Sequence, residues 1–236
     1  MTAPVLEIDK ISKRYATPEG EFTALDAVTL SINEGELILF RGPSGSGKST
    51  LLAILAGFDE PSAGEARFRG RDICKFSKRD LMAFRRNHLS VIFSYFNLIP
   101  HFSALQNVAR ASDQILRSMQ PEDALALVGL ADAAHLRASQ LTPEQQQRVA
   151  IARAIVKEPQ IMLCDEPAGS LAPEEADGIY QLLGDLNREL GITMIVVGDN
   201  EKMKRRADRI FSLSNHTPST PLAVPEPMEQ TPVTVS

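Results

Sequence analysis

The residues with the clearest chemical potential form a glycine-rich run whose letters are GPSGSGKST. Their spacing matches the GxxxxGK[ST] loop, in which backbone N–H groups and a helix amino terminus create a concave anion site. Lys48 would reach the β- and γ-phosphates of a nucleotide, and the Ser49 hydroxyl would bind Mg²⁺. A glycine-rich turn is the alternative, but the apolar strand ELILF before the run and the apolar helix LLAILAG after it favour a phosphate loop. The predicted nucleotide-binding residues of this loop are Gly42, Pro43, Ser44, Gly45, Ser46, Gly47, Lys48, Ser49 and Thr50.

Two adjacent carboxylates, Asp165 and Glu166, follow the short apolar run Ile161 to Cys164. Ligands of α/β sheets bind at the carboxyl ends of strands. A buried strand that ends in two acids needs a partner for their charge. These residue types predict that Asp165 binds Mg²⁺ and that Glu166 is the catalytic base that polarises an attacking water. A solvated turn after the strand is the alternative.

Apolar runs alternate with helix-like segments along the chain, which predicts an α/β sheet that positions these groups. Between Ala104 and Ser139 the pattern becomes helical, and Pro121 is placed to open a helix. We therefore predict one domain over residues 1–216, with a helical subdomain inserted at about 104–140, and a proline-rich, disordered tail over residues 217–236. The runs that we interpret as strands are Val28 to Ile32, Glu36 to Phe40, Leu89 to Phe93, Ile161 to Cys164 and Thr193 to Val197.

Composition limits the classes of partner. A net charge of -5 gives no electrostatic reason to expect nucleic acid, and the basic cluster from Lys202 to Arg206 is typical of a solvated helix face. Cys74 and Cys164 fit no metal-ligand or CxxC spacing, which favours reduced thiols in the cytosol. No apolar run approaches the length of a membrane span, so a membrane partner would have to supply one.

The order of these motifs resembles an ABC transporter ATPase from Leu6 to about Leu213. The phosphate loop, FNLIP and QQQRVAIARAIVKEPQIMLCDEP are similar in particular to the subgroup that serves lipoprotein-release, macrolide-export and cell-division permeases. The resemblance implies the P-loop NTPase core of ABC ATPase type with an inserted helical subdomain, and ATP and Mg²⁺ as cofactors. It also implies that Tyr15 stacks on adenine, although a packed aromatic is an alternative reading of Tyr15.

The resemblance implies two protein partners as well. One is an integral membrane permease, which the helical stretch between Val108 and Gln140 would face. The other is a second nucleotide-binding subunit, in a homodimer or a heterodimer that forms when ATP is bound. The chain would then be cytoplasmic and peripheral on the inner face of the cell membrane, where its permease selects the cargo.

One motif departs from the family at the loop that faces the partner's nucleotide. Family members carry LSGGQ there, and this chain carries LTPEQ from Leu141 to Gln145. Thr142 as N-cap, Pro143 at the first helical position and Gln145 three residues after the cap still predict a helix start. Pro143 has no N–H, however, and Glu144 would meet the partner's γ-phosphate. Two unit charges about 4 Å apart repel by about 4 kcal/mol at an effective dielectric near 20.

Three further positions depart from the family. Ser94 stands where members carry a glutamine near Mg²⁺, Asp199 stands where they carry a histidine that faces the γ-phosphate, and Ala172 replaces a coupling aspartate. The pattern predicts a subunit that binds ATP but hydrolyses it weakly. A fully active ATPase that energises export or lipoprotein release, a regulatory subunit without transport, and a soluble P-loop enzyme are the alternatives. The chain has four histidines, and none lies close enough along the sequence to replace the missing one. They are His88, His101, His135 and His216.

Overall fold

Two β-sheets and a group of helices make up the part of the chain described by the structure, a computed structural model. It covers residues 4–18, 20–113, 115, 118–213 and 221–222. The strands are β1 Leu6–Thr17, β2 Gly20–Ile32, β3 Leu37–Arg41, β4 Ala63–Phe68, β5 Arg71–Asp72, β6 Leu89–Ile92, β7 Ile161–Asp165, β8 Thr193–Val197, β9 Arg209–Ser212 and β10 Pro221–Leu222. The helices are α1 Lys48–Leu55, α2 Lys78–Asn87, α3 Ala104–Ser112, α4 Pro121–Leu127, α5 Pro143–Ile155, α6 Pro173–Leu190 and α7 Glu201–Arg206.

The larger sheet has the strand order β10-β9-β3-β8-β7-β6 and is parallel from β9 to β6. Its central strands β3, β7 and β8 are buried almost throughout, as expected for parallel strands that are covered on both faces. Phe40 pairs with Val197, and Val197 pairs with Asp165. The carboxyl ends of β3, β8 and β7 are therefore level and adjacent, and the residues that follow them meet at one edge.

Alternate residues of β3 contribute to two hydrophobic cores, because successive side chains of a strand point to opposite faces. Leu37 and Leu39 pack with the helical side of the molecule, which includes α3, α4, α5 and α6. Ile38 and Phe40 pack with α1 and the second sheet. That sheet is antiparallel, with the order β2-β1-β4-β5. The chain around the phosphate loop is thus fixed from both faces of the parallel sheet.

The sequence-based expectations for the secondary structure agree with this fold in its centre. The predicted strands of the parallel sheet begin and end within one residue of the observed ones. Pro121 occupies the first turn of α4, as predicted. The second sheet was not foreseen, since only Val28 to Ile32, the last part of β2, was predicted as a strand. The predicted tail lies outside the described residues except for β10, whose backbone pairs with β9.

Candidate functional site

The phosphate loop joins β3 to α1 and depends on glycine at its two ends. Gly47 is the N-cap of α1 with φ 86°, and a Cβ on it would lie 2.1 Å from the Ala24 carbonyl oxygen. A Cβ on Gly42 would lie 2.1 Å from the Leu213 carbonyl oxygen. Gly45 differs, because its φ of 78° is left-handed but a Cβ there meets nothing within 4 Å. The chain's own packing therefore requires glycine at two of these positions, apart from any need for access by a phosphate.

Lys48 lies beneath this loop with only 7% of its surface exposed. Its ammonium donates to the carbonyl oxygens of Gly42 at 2.9 Å and Pro43 at 2.8 Å, and it lies 3.4 Å from Ser46 Oγ. The loop therefore contains a cation that its own carbonyl groups hold in place. A positive charge in this position favours an anion on the N–H groups at the start of α1.

The two predicted Mg²⁺ ligands lie together although they are far apart in sequence. The Ser49 hydroxyl at the start of α1 donates to Asp165 Oδ1 at the end of β7, over 3.0 Å. Mg²⁺ at nucleotide sites uses one or two protein oxygens and takes its other ligands from phosphate and water. This pair of hard oxygen donors beside the phosphate loop therefore fits a magnesium ion that accompanies a nucleotide.

Glu166 adopts an unusual backbone conformation at the same edge. Its φ is 46°, in the left-handed region that is unfavourable for residues with a Cβ. Its N–H donates to the Val197 carbonyl oxygen at 3.1 Å, which ties it to the end of β8. Strained conformations of this kind cost about 1–3 kcal/mol and cluster at functional sites. Five other non-glycine residues of the described part share a positive φ, so this feature by itself assigns no role to Glu166.

A cavity of about 210 Å³ brings most of the predicted residues together. It also contains Phe22, which the sequence reasoning missed. Phe22 is 46% exposed and pairs with Tyr15 across β1 and β2, so two aromatic rings stand at one side of the phosphate loop. An aromatic residue in the polar stretch PEGEFTALD was the signal that could have identified it. The lining residues are Tyr15, Phe22, Ala24, Ser44, Gly45, Gly47, Lys48, Ser49, Thr50 and Glu166.

Tyr15 is held by polar contacts at the wall of this cavity. Its hydroxyl donates to Asp59 Oδ2 at 2.9 Å, and the Lys13 ammonium lies 4.9 Å from its ring centroid. Partial burial tends to raise the pKa of Asp59, but hydrogen bonds from Lys13 and Tyr15 outweigh it and keep that pKa below its ordinary value. Tyr15 is thus an oriented ring at the cavity wall, 37% exposed, rather than a core aromatic.

The helix start that replaces LSGGQ forms as predicted. Thr142 caps α5, its hydroxyl accepts from Gln145 N–H at 3.2 Å, and Pro143 occupies the first turn. The structure corrects the electrostatic part of the expectation for Glu144. Its Oε1 accepts from Arg148 Nε at 2.9 Å and from Arg148 Nη2 at 2.7 Å. An internal cation therefore reduces the repulsion that an unpaired carboxylate would exert on a phosphate.

Asp199, at the end of β8, is paired in the same way. Its Oδ1 lies 2.6 Å from Lys204 Nζ and 3.3 Å from Arg41 Nη2. The hydrogen bond from Lys204 lowers the pKa of Asp199, partial burial opposes this, and the charge of Arg41 lowers that pKa further. The carboxylate therefore faces α7 and the end of β3.

The remaining altered positions lie in two connected loops. Ser94 follows β6, and its carbonyl oxygen accepts from the Ser170 hydroxyl at 2.8 Å. Ala172 is the N-cap residue of α6, and its N–H donates to Glu175 Oε2 at 3.2 Å. Among the described residues no histidine lines the cavity. His216 lies outside the described part.

Comparison with known families agrees with the family resemblance that the sequence indicates. The family model described as ABC transporter matches residues 25–169. The lipoprotein-releasing system ATP-binding protein LolD of Idiomarina loihiensis is 36% identical over 222 residues, which are 91% of this chain and 96% of that protein. The macrolide export ATP-binding/permease protein MacB of Burkholderia pseudomallei is 38% identical over 220 residues, 91% of this chain. The chain spans about a third, 34%, of the length of MacB.

Comparison with solved structures supports the fold. The ATP-binding cassette MJ0796, in a dimeric post-hydrolysis state bound to ADP and Pi, matches with a TM-score of 0.78 and 34% identity, over 90% of this chain and 97% of that one. The protein cbiO1 from Clostridium perfringens, part of the ABC transporter complex cbiONQ, matches with a TM-score of 0.79 and 26% identity, over 90% of this chain and 85% of that one. In the described part of this chain, no helix combines the length and apolar character of a membrane span.

Proposed function

Because the chain belongs to the ABC transporter family, we propose that it is the ATP-binding subunit of a transporter and that it binds ATP with Mg²⁺ at the phosphate-loop cavity. The single observation that carries this proposal is the 3.0 Å contact between Ser49 Oγ and Asp165 Oδ1 beside the loop. These two oxygens would hold the metal ion, which neutralises phosphate charge when it is bound. The fold of the matched 90% of the chain is similar to that of the ATP-binding cassette MJ0796.

The other cavity residues would contact different parts of the nucleotide. Tyr15 and Phe22 would contact the adenine, because both are partly exposed rings at one wall of the cavity. Lys48 and the N–H groups at the start of α1 would hold the phosphates. Glu166 would orient and polarise a water at the opposite wall, as the base that accepts its proton.

Titration calorimetry tests the binding proposal. ATP should bind the wild-type chain more tightly with Mg²⁺ than with EDTA, and Ser49→Ala should lose most of this difference. Ser31→Ala, at an exposed position of β2, is the matched control and should behave as wild type. An unchanged magnesium dependence in Ser49→Ala would contradict the assignment of the metal site.

We infer further that hydrolysis is slow. Pro143 lacks the N–H that a glycine would offer to a partner's phosphate, and Ser94 is too short to reach as far as glutamine. Asp199 is an acceptor that is already paired with Lys204. A specific observation favours the second candidate, a fully active ATPase for export or lipoprotein release. The charges of Glu144 and Asp199 are both neutralised internally, and Glu166 still lines the cavity.

Restoring the missing donor separates these two candidates. Asp199→His should raise steady-state phosphate release, whereas Asp199→Asn, which removes the charge without supplying an imidazole, should raise it much less. Both variants should lose phosphate release when Glu166→Gln is added. If wild-type release is already fast and Asp199→His does not increase it, the active-ATPase candidate is correct.

We also propose that the chain docks on a separate membrane permease at the cytoplasmic face and dimerises with a second nucleotide-binding subunit. The dimeric state of MJ0796 and the separate ATP-binding protein LolD support this assembly. The division into a domain over residues 1–216, a helical insertion at about 104–140 that meets the permease, and a tail belongs to the same proposal. Light scattering of Glu166→Gln should show a dimer mass with Mg²⁺ and ATP, and a monomer mass for Lys48→Ala under the same conditions.

A further inference from the structure

Tyr180 and Gly198 approach each other closely at the carboxyl edge of the parallel sheet. Tyr180 belongs to α6 and is buried, and Gly198 is the first residue after β8. A Cβ on Gly198 would lie 2.7 Å from the Tyr180 hydroxyl oxygen and 3.5 Å from the ring carbon that bears it. The hydroxyl therefore occupies the space that any side chain at position 198 would fill.

This contact lies between the phosphate loop and Glu166. The Gly198 N–H donates to the Phe40 carbonyl oxygen at 3.1 Å, two residues before Gly42. On the other side, the Glu166 N–H donates to the Val197 carbonyl oxygen at 3.1 Å. The residues on either side of the Tyr180 hydroxyl are therefore those that begin the phosphate loop and carry the candidate base.

The Tyr180 hydroxyl is a neutral donor in surroundings that otherwise offer carboxylates. Burial, together with smaller contributions from the nearby Glu166, Cys164 and Asp199, raises the pKa of Tyr180 to about 12. The hydroxyl therefore keeps its proton at physiological pH. Within the described residues the Tyr180 hydroxyl makes no hydrogen bond, and its oxygen is not among the buried polar atoms without a partner, so its proton is available to a ligand.

The neighbouring side chain of Asp199 does not compete with Tyr180 for contact with a phosphate. Asp199 follows Gly198 directly, but its carboxylate is occupied by Lys204 and Arg41. A carboxylate is also an acceptor only, so it offers no hydrogen to a phosphate oxygen. Lys48 would hold phosphates from the side of α1, and the Tyr180 hydroxyl would be a donor on the β8 side of the same edge.

We propose that the Tyr180 hydroxyl, in the space that Gly198 leaves free, donates a hydrogen bond to the terminal phosphate of bound ATP and so distinguishes ATP from ADP. This inference rests on the proposed function, because it assumes that the phosphate-loop cavity binds ATP. The β- and α-phosphates would remain with the loop and α1, which ATP and ADP share. A donor that meets only the terminal phosphate strengthens the binding of ATP alone.

The affinity ratio of ATP to ADP tests the proposal without depending on hydrolysis. Tyr180→Phe keeps the buried ring and removes the hydroxyl. It should weaken the binding of Mg²⁺ with AMP-PNP, a non-hydrolysable ATP analogue, by about tenfold, a typical effect for a hydrogen bond to a charged group, and leave ADP affinity unchanged. Tyr15→Phe is the matched control, and it should change both affinities by the same factor because adenine is common to both nucleotides.

A second variant keeps the hydroxyl but displaces it. Gly198→Ala places a Cβ in the occupied space, so it should also reduce the ratio of AMP-PNP to ADP affinity. Added to Tyr180→Phe it should have no further effect on that ratio, because the displaced group is already absent. This pair keeps the test decisive if one variant is too unstable to purify.

The outcomes separate the two proposals. An unchanged ratio in Tyr180→Phe, or an equal loss of both affinities, would overturn the role of Tyr180 while leaving ATP binding in place. A wild-type chain that binds neither nucleotide would overturn the proposed function and this inference together. A loss confined to AMP-PNP, present in Tyr180→Phe and Gly198→Ala but absent in Tyr15→Phe, is the result that we expect.

Discussion

The two sides of the candidate site are built differently. On the side of α1, Lys48 is buried beneath a loop whose end glycines admit no side chain, and Ser49 contacts Asp165. On the side that would meet a partner subunit and the terminal phosphate, Glu144 and Asp199 stand where the family has a glycine and a histidine, and each is paired with cations of its own chain.

The two sides therefore differ in how they respond to a substitution. The loop side depends on backbone geometry, so a single added methyl group would distort it. The opposite side depends on exposed or half-exposed side chains whose charges are already compensated, so its alteration leaves the fold intact. The proposed slow hydrolysis is therefore compatible with an intact phosphate loop.

The largest expected effect is on the stability of the phosphate loop. Gly47→Ala should lower the free energy of unfolding by about 3 kcal/mol, because the left-handed φ and a contact with the Ala24 backbone act together. Gly45→Ala has a similar φ without the contact and should cost about 1 kcal/mol. Urea unfolding measures both. Equal costs would show that backbone conformation alone sets the glycine requirement.

The next effect is on nucleotide affinity. Lys48→Ala should weaken ATP binding about 100-fold, about 2.7 kcal/mol, because it removes the buried cation of the loop. Lys202→Ala is the control, because Lys202 of α7 forms an exposed pair with Asp177 of α6, and it should leave affinity unchanged. Calorimetry distinguishes the two variants, and retained binding by Lys48→Ala would mean that ATP binds elsewhere on the chain.

A smaller effect is expected for the ion pairs at the end of β8. Asp199→Asn should reduce stability by less than about 1 kcal/mol at neutral pH, since the side chain is 59% exposed. The pKa of Asp199 is lowered in the folded protein, so this contribution is present above its unfolded value and disappears as pH falls through the folded value. Chemical unfolding of both proteins from pH 7 to pH 3 should show the difference vanish in acid. A difference that is independent of pH would contradict the ion-pair account.

The smallest effect concerns the loop that replaces LSGGQ. Glu144→Gln should change stability by about 0.3–0.5 kcal/mol, the usual value of an ion pair four residues apart on a helix. Phosphate release should rise less than threefold, because Arg148 already compensates the carboxylate. A much larger rise in a phosphate-release assay would show that Glu144 repels the partner's nucleotide despite this pairing.

Much of the loop side could be predicted from the sequence, because its features are local. The GxxxxGK[ST] spacing, the apolar strand before it and the acids after β7 lie in short segments, and parallel strands bring their carboxyl ends together. The contact between Ser49 and Asp165 follows from that rule. The helix start at Thr142 was predictable for the same reason, since capping depends on residues within one turn.

The partners of the altered residues could not be predicted, because they depend on strand order and helix packing. Arg41 meets Asp199 only because β3 and β8 are neighbours, and Tyr180 meets Gly198 only because α6 covers that end of β8. The antiparallel sheet was missed because β1 and the first part of β2 do not alternate cleanly between apolar and polar residues, so Phe22 was overlooked.

The most direct test of the central claim is to measure ATP affinity and steady-state phosphate release in one preparation of the wild-type chain and of Glu166→Gln, each alone and with a candidate permease. We predict clear ATP binding by both proteins, and phosphate release by wild type that stays close to the Glu166→Gln background. Fast release that disappears in Glu166→Gln would contradict slow hydrolysis and would identify a working transport ATPase.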